Sequence, residues 1–90
     1  MERTFIVDER PQGGYVIKVN KSFYTTGSYN VFCARALNIS YPNYLRLCRD
    51  EYGARIVGRS TMYPFAIFPT EGSAQKLSNL LNEAIRGRIK

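Results

Sequence analysis

Punctuation between residues 38 and 53 constrains the fold of this chain more than any other feature. Asn38, Ser40, Pro42 and Gly53 cut a run with helical spacing into two short pieces. Asparagine tolerates the left-handed backbone of a tight turn, so Asn38 ends a first helix expected from Tyr29 to Leu37, with Ser28 as its N-cap. Ser40 then caps a second helix running from Tyr41 or Pro42 to Tyr52. Pro42 falls in its first turn, where a missing N–H does no harm, and Gly53 stands just past its end. Tyr41, Tyr44, Leu45, Cys48 and Tyr52 recur at spacings of three and four as one apolar stripe, which turns Asn43, Arg46, Arg49 and Asp50 outward.

The flanks of this helix pair read as strands and one more helix. Thr4 to Glu9 and Tyr15 to Asn20 are rich in β-branched and aromatic residues, and Pro11-Gln12-Gly13-Gly14 between them supplies turn chemistry, which predicts a hairpin. A second hairpin is expected over Ala54 to Arg59 and Tyr63 to Phe68, with Pro64 placing its strand at an edge. Residues 72 to 86 carry Ala74, Leu77, Leu80, Leu81, Ala84 and Ile85 at helical spacing, an amphipathic helix that packs on the sheet or forms a dimer seam. With no repeat and no linker, the expectation is a single α+β domain over residues 1–90, in the order ββααββα.

Composition narrows the chemistry. The 90 residues include no histidine, which removes the commonest general base and metal ligand. Cys33 and Cys48 alone cannot complete a structural zinc site, so no metal, no cofactor and no catalytic residue is expected. Two thiols without a signal peptide before them point to a reducing, cytoplasmic setting, and no apolar run approaches the roughly 18 residues of a membrane span. Thirteen Lys and Arg against seven Asp and Glu give a net charge of +6, a potential that attracts polyanions or simply keeps a small domain in solution. The basic excess lies in the middle and at the end: five basic and two acidic groups over residues 31–68, and four and two over residues 69–90.

Residues 34 to 47, Ala34-Arg35-Ala36-Leu37-Asn38-Ile39-Ser40-Tyr41-Pro42-Asn43-Tyr44-Leu45-Arg46-Leu47, resemble the helix-turn-helix DNA-binding motif. Ala34 sits where a small residue lets the helices approach, Leu37 and Ile39 flank the turn, Ser40 caps the second helix, and Tyr44 and Leu47 fill its buried slots. Asn38 stands where the motif usually has glycine, Tyr44 is larger than the usual Val or Ile, and Pro42 is uncommon there. The resemblance implies that the second helix enters a major groove, with Tyr41, Asn43 and Arg46 reaching base edges and Arg49 beside them. The following hairpin would then resemble the wing of winged members, with Arg55 and Arg59 on phosphate; Arg88 and Lys90 form a basic end that also suits the last helix dipole.

Nucleic acid is therefore the expected partner, DNA ahead of RNA, and a homodimer would suit a reader of two half-sites. A second reading is a small phage-type protein-binding module or inhibitor of a nucleic-acid enzyme, anchored by Phe23, Tyr24 and Tyr63. Two further readings are a histidine-free ribonuclease and a single-strand binder that stacks bases on Tyr63, Phe65 and Phe68. No membrane partner is expected.

Overall fold

Glycine chemistry sets the first hairpin. Gly13 and Gly14 both hold positive φ, 104° and 82°, in the turn that joins strand β1 (Phe5–Glu9) to strand β2 (Tyr15–Val19). The strands pair antiparallel from Phe5↔Val19 to Glu9↔Tyr15. Gly14 has a second reason to lack a side chain: a Cβ there would lie 2.4 Å from Ile67 Cγ2. The computed structural model describes residues 4–20, 26–58 and 64–88.

After β2 come helix α1 (Thr26–Leu37), helix α2 (Tyr41–Tyr52), strands β3 (Arg55–Val57) and β4 (Phe65–Ile67), and helix α3 (Glu71–Arg88). The order is ββααββα, a small compact α+β fold with two antiparallel hairpins around a central helix pair. Among the described residues the two ribbons are separate sheets, stitched by one bridge in which the Tyr15 N–H donates to the Phe68 carbonyl at 3.0 Å and the Phe68 N–H to that of Tyr15 at 2.8 Å. α3 lies along β1, and α1 packs against β2, α2 and α3.

Local rules place the helix boundaries around the central turn. Asn38 takes φ 59°, Ser40 is extended and its hydroxyl accepts the Asn43 N–H at 3.3 Å, and Gly53 closes α2 at φ 69° with its N–H on the Cys48 carbonyl. Other boundaries move. α1 begins at Thr26, so Ser28 lies inside the helix and not at its cap. β3 and β4 are only three residues each: Ala54 spends its N–H on the Cys48 carbonyl, and Phe68 leaves β4 to bridge Tyr15. α3 starts before residue 72 because Thr70 caps it, its hydroxyl accepting the Ser73 N–H at 3.2 Å.

The core joins Phe5 and Ile17 from the first ribbon, Cys33, Ala34 and Ala36 from α1, Tyr44 and Cys48 from α2, Ala66 and Phe68 from the second ribbon, and Ala74, Leu77 and Leu81 from α3. Of the stripe expected on α3, Ala74, Leu77 and Leu81 enter the core, Ala84 and Ile85 are half-buried at its border, and Leu80 stands outside it. Leu80 is 44% exposed, while the polar Ser78 is wholly buried. The reason is a bond: the Ser78 hydroxyl donates to the Phe5 carbonyl at 2.9 Å, and Asn82 both accepts the Phe5 N–H at 2.9 Å and donates to the same carbonyl at 3.0 Å. These contacts rotate α3 toward Ser78 and Asn82 and leave Leu80 outside.

Candidate nucleic-acid interface

The outer side of α2 follows directly from its inner one. Tyr44 and Cys48 are fully buried and Leu45 and Leu47 half-buried, so at 3.6 residues per turn Pro42, Asn43, Arg46, Arg49 and Asp50 all emerge into solvent. Ser40 and the left-handed Asn38 fix the angle at which this face is presented. Ile39, which the motif would place beside the turn, is 37% exposed.

The exposed groups differ in what already holds them. Arg46 makes no hydrogen bond or ion pair among the described residues, although its charge helps to lower the Asp50 carboxyl. Arg49 Nε donates to Asp50 Oδ1 at 2.8 Å, which raises the guanidinium further and holds the Asp50 carboxyl below its ordinary value. Both partners are exposed, so the pair contributes little to stability and Arg49 can exchange it for a phosphate or carboxylate. Tyr41, which belongs to the apolar stripe as well as to the candidate base contacts, is half-buried, and its hydroxyl donates to the Pro64 carbonyl, which ties α2 to the start of β4.

Arg55 is exposed, but strand alternation sends it away from the helix arginines. Ile56 faces α2, where Pro42, Leu45, Arg46, Arg49, Ile56 and Pro64 surround a shallow hollow of about 230 Å³. Arg55 faces the opposite side of β3, into a hollow of about 350 Å³ shared with the Gly13-Gly14 turn, Gly53 and Pro69. The chain therefore brings Asn43, Arg46 and Arg49 together and sets Arg55 apart. Arg88 is the last residue of α3. Arg59, Lys90, Phe23, Tyr24 and Tyr63 lie outside the described residues.

Of the candidate stacking residues, Phe68 is only 1% exposed and belongs to the core, so it offers no face to a base. Phe65 is half-buried, with the Arg10 guanidinium 5.9 Å from its ring centre. Arg10 was not among the expected site residues. Its place at the end of β1, just before the turn that reaches over β4, is the only signal that could have found it.

Beneath this face of α2 lies a cluster of neutral acids. Burial pushes the Cys33 and Cys48 thiols up to about 12 and holds the Tyr44 hydroxyl well above its usual range. Thiols held so high are poor nucleophiles at neutral pH. An unfolded thiol ionises near 9, so between about pH 9 and 12 the unfolded chain binds fewer protons than the folded one. Their contribution to stability is complete below pH 9 and falls as pH rises toward 12. The urea midpoint should thus decline steadily from pH 9 to 11; a flat midpoint would contradict the buried placement of both thiols.

Among the described residues no group of three or more Cys, Asp or Glu side chains is arranged to hold a metal, and no helix is long and apolar enough to cross a membrane. Compared with known proteins, the chain matches no family model, and neither a curated protein nor a solved structure is significantly similar to it.

Proposed function

We propose that this protein binds nucleic acid, duplex DNA in preference to RNA, as a small cytoplasmic regulator that presents the outer side of α2 to a major groove. The observation that carries the reading is the row Asn43, Arg46 and Arg49, exposed side by side on a helix whose entry is fixed by Asn38 and Ser40. Asparagine pairs two-pronged with adenine and arginine with guanine, so these residue types suit base readout. A net charge of +6 supplies the long-range attraction. Arg55, on the far side of β3, serves as a phosphate contact at the flank of the site, with Arg59, Arg88 and Lys90 in the same role, and two copies would read two half-sites.

Fluorescence anisotropy with random duplex DNA, single-stranded DNA and RNA, each over a salt series, tests the reading. Binding should weaken steeply with salt and be strongest for duplex. Arg46→Ala should relax sequence preference, lowering affinity for the selected site by roughly tenfold or more, whereas Arg55→Ala should weaken all sequences alike and reduce the salt slope by about one. Absence of binding at low salt would retire the proposal.

A specific observation favours a second reading, a protein-binding module: the hollow beside Arg46 and Arg49 has an aliphatic floor.

A further inference from the structure

That hollow lies between α2 and the second ribbon. Its floor is Pro42, Leu45, Ile56 and Pro64, and its cationic rim is Arg46 and Arg49. Leu45 and Ile56 are half-buried and packed on the core, and the Tyr41 hydroxyl holds the Pro64 carbonyl, so the walls are preformed. We propose that this hollow docks an acidic peptide segment of a protein partner, seating one apolar side chain on the aliphatic floor between carboxylates held by Arg46 and Arg49.

Size and chemistry select this occupant. At about 230 Å³ the hollow is below the roughly 300–1,000 Å³ of sites for drug-sized ligands, and it suits a single leucine- or phenylalanine-sized anchor. Base edges need hydrogen-bonding partners, and four aliphatic side chains offer none, so nucleic acid engages the rim and leaves the floor unfilled. Charge complementarity decides the rest. Among the described residues Arg46 has no ion-pair partner and Arg49 has only its exposed sequence neighbour, and a second copy of this chain would bring another +6 toward the rim. A central apolar anchor ringed by charge-assisted bonds is the usual layout of an energetic hot spot.

Docking here uses the arginines assigned to nucleic acid. Resting on that reading, occupancy by the acidic segment excludes nucleic acid, and the segment acts as a competitive regulator of the same face.

The test uses the full chain and fluorescein-labelled nine-residue peptides of alternating Asp and Glu with leucine, phenylalanine or serine at the centre. The leucine and phenylalanine peptides should bind at least about tenfold more tightly than the serine peptide, the effect of one buried apolar side chain. Arg46→Ala and Pro42→Glu should each weaken the leucine peptide several-fold while leaving the circular dichroism spectrum unchanged; Pro42 is exposed in the first turn of α2, where an acidic side chain suits the helix. Equal binding of the three peptides would reduce the contact to charge alone and overturn the proposal, as would no binding at all. The peptides and duplex DNA are measured in separate direct titrations. Peptide binding without duplex binding leaves the docking site standing and removes the nucleic-acid reading, and duplex binding without anchor-dependent peptide binding does the reverse. Where both bind, unlabelled duplex should displace the leucine peptide; a ternary complex would overturn the competition.

Discussion

Tyr44→Ala is expected to lose about 3–5 kcal/mol, the effect of emptying a large aromatic site in a core. A domain of this size holds only about 5–15 kcal/mol in all, so the variant should be partly unfolded near physiological temperature. Tyr44→Phe should do the opposite. The ring is fully buried between α1 and α2, and its hydroxyl has the Cys33 and Cys48 thiols for company but no hydrogen bond of ordinary geometry. Thiols are weak partners, and a buried hydroxyl left unsatisfied costs about 1–3 kcal/mol. Removing the oxygen while keeping the ring should recover part of that and raise the melting temperature, by about 4–8 °C for each kcal/mol. Thermal denaturation of the pair is decisive: a phenylalanine variant that melts below the parent would mean that the thiols satisfy the hydroxyl after all.

The second large effect is expected at Asn82. Its carboxamide takes the place of a neighbouring strand at the edge of β1, accepting the Phe5 N–H and donating to the Phe5 carbonyl. Asn82→Leu keeps approximate size but leaves that N–H without a partner, while Ser78 still reaches the carbonyl. Orphaning the N–H costs about 1–3 kcal/mol and the second lost bond about 0.5–1.5 kcal/mol, so a total of about 1.5–4.5 kcal/mol is expected. Hydrogen exchange gives a local readout: the Phe5 amide should lose protection more than the amides of α2. Asn79→Leu, exposed on the same helix, serves as the control and should change stability little.

What the sequence revealed depended on how far each cause reaches along the chain. Asn38, Ser40, Pro42 and Gly53 act through their own backbone or one helical turn, and each does in the structure what its chemistry implies. Leu80 was misplaced because periodicity weighs side chains by hydrophobicity alone. It cannot know that Phe5, 73 residues before Ser78, offers a carbonyl that makes a serine the better buried residue. Periodicity leaves Phe68 open to either fate, a stacking platform or the core, because its bridge to Tyr15 depends on how two hairpins meet. The candidate site divides in the same way. Asn43, Arg46 and Arg49 share a face by helical geometry, which one segment determines. The separation of Arg55 depends on which side of β3 packs against α2, and the hollow under Arg46 and Arg49 needs both elements to exist.

The clamp on Phe5 also bears on the order in which this chain becomes a protein. Its first strand is secured by a side chain 77 positions later, so a ribosome has released the first hairpin long before Asn82 emerges. Until then the nascent ribbon carries an unsealed edge, able to pair with another chain. Closure joins two elements far apart along the chain, which favours a concerted collapse over piecewise assembly as synthesis proceeds. Variants that delay or shorten α3 should therefore lower the yield of folded protein in the cell by more than their loss of equilibrium stability would suggest.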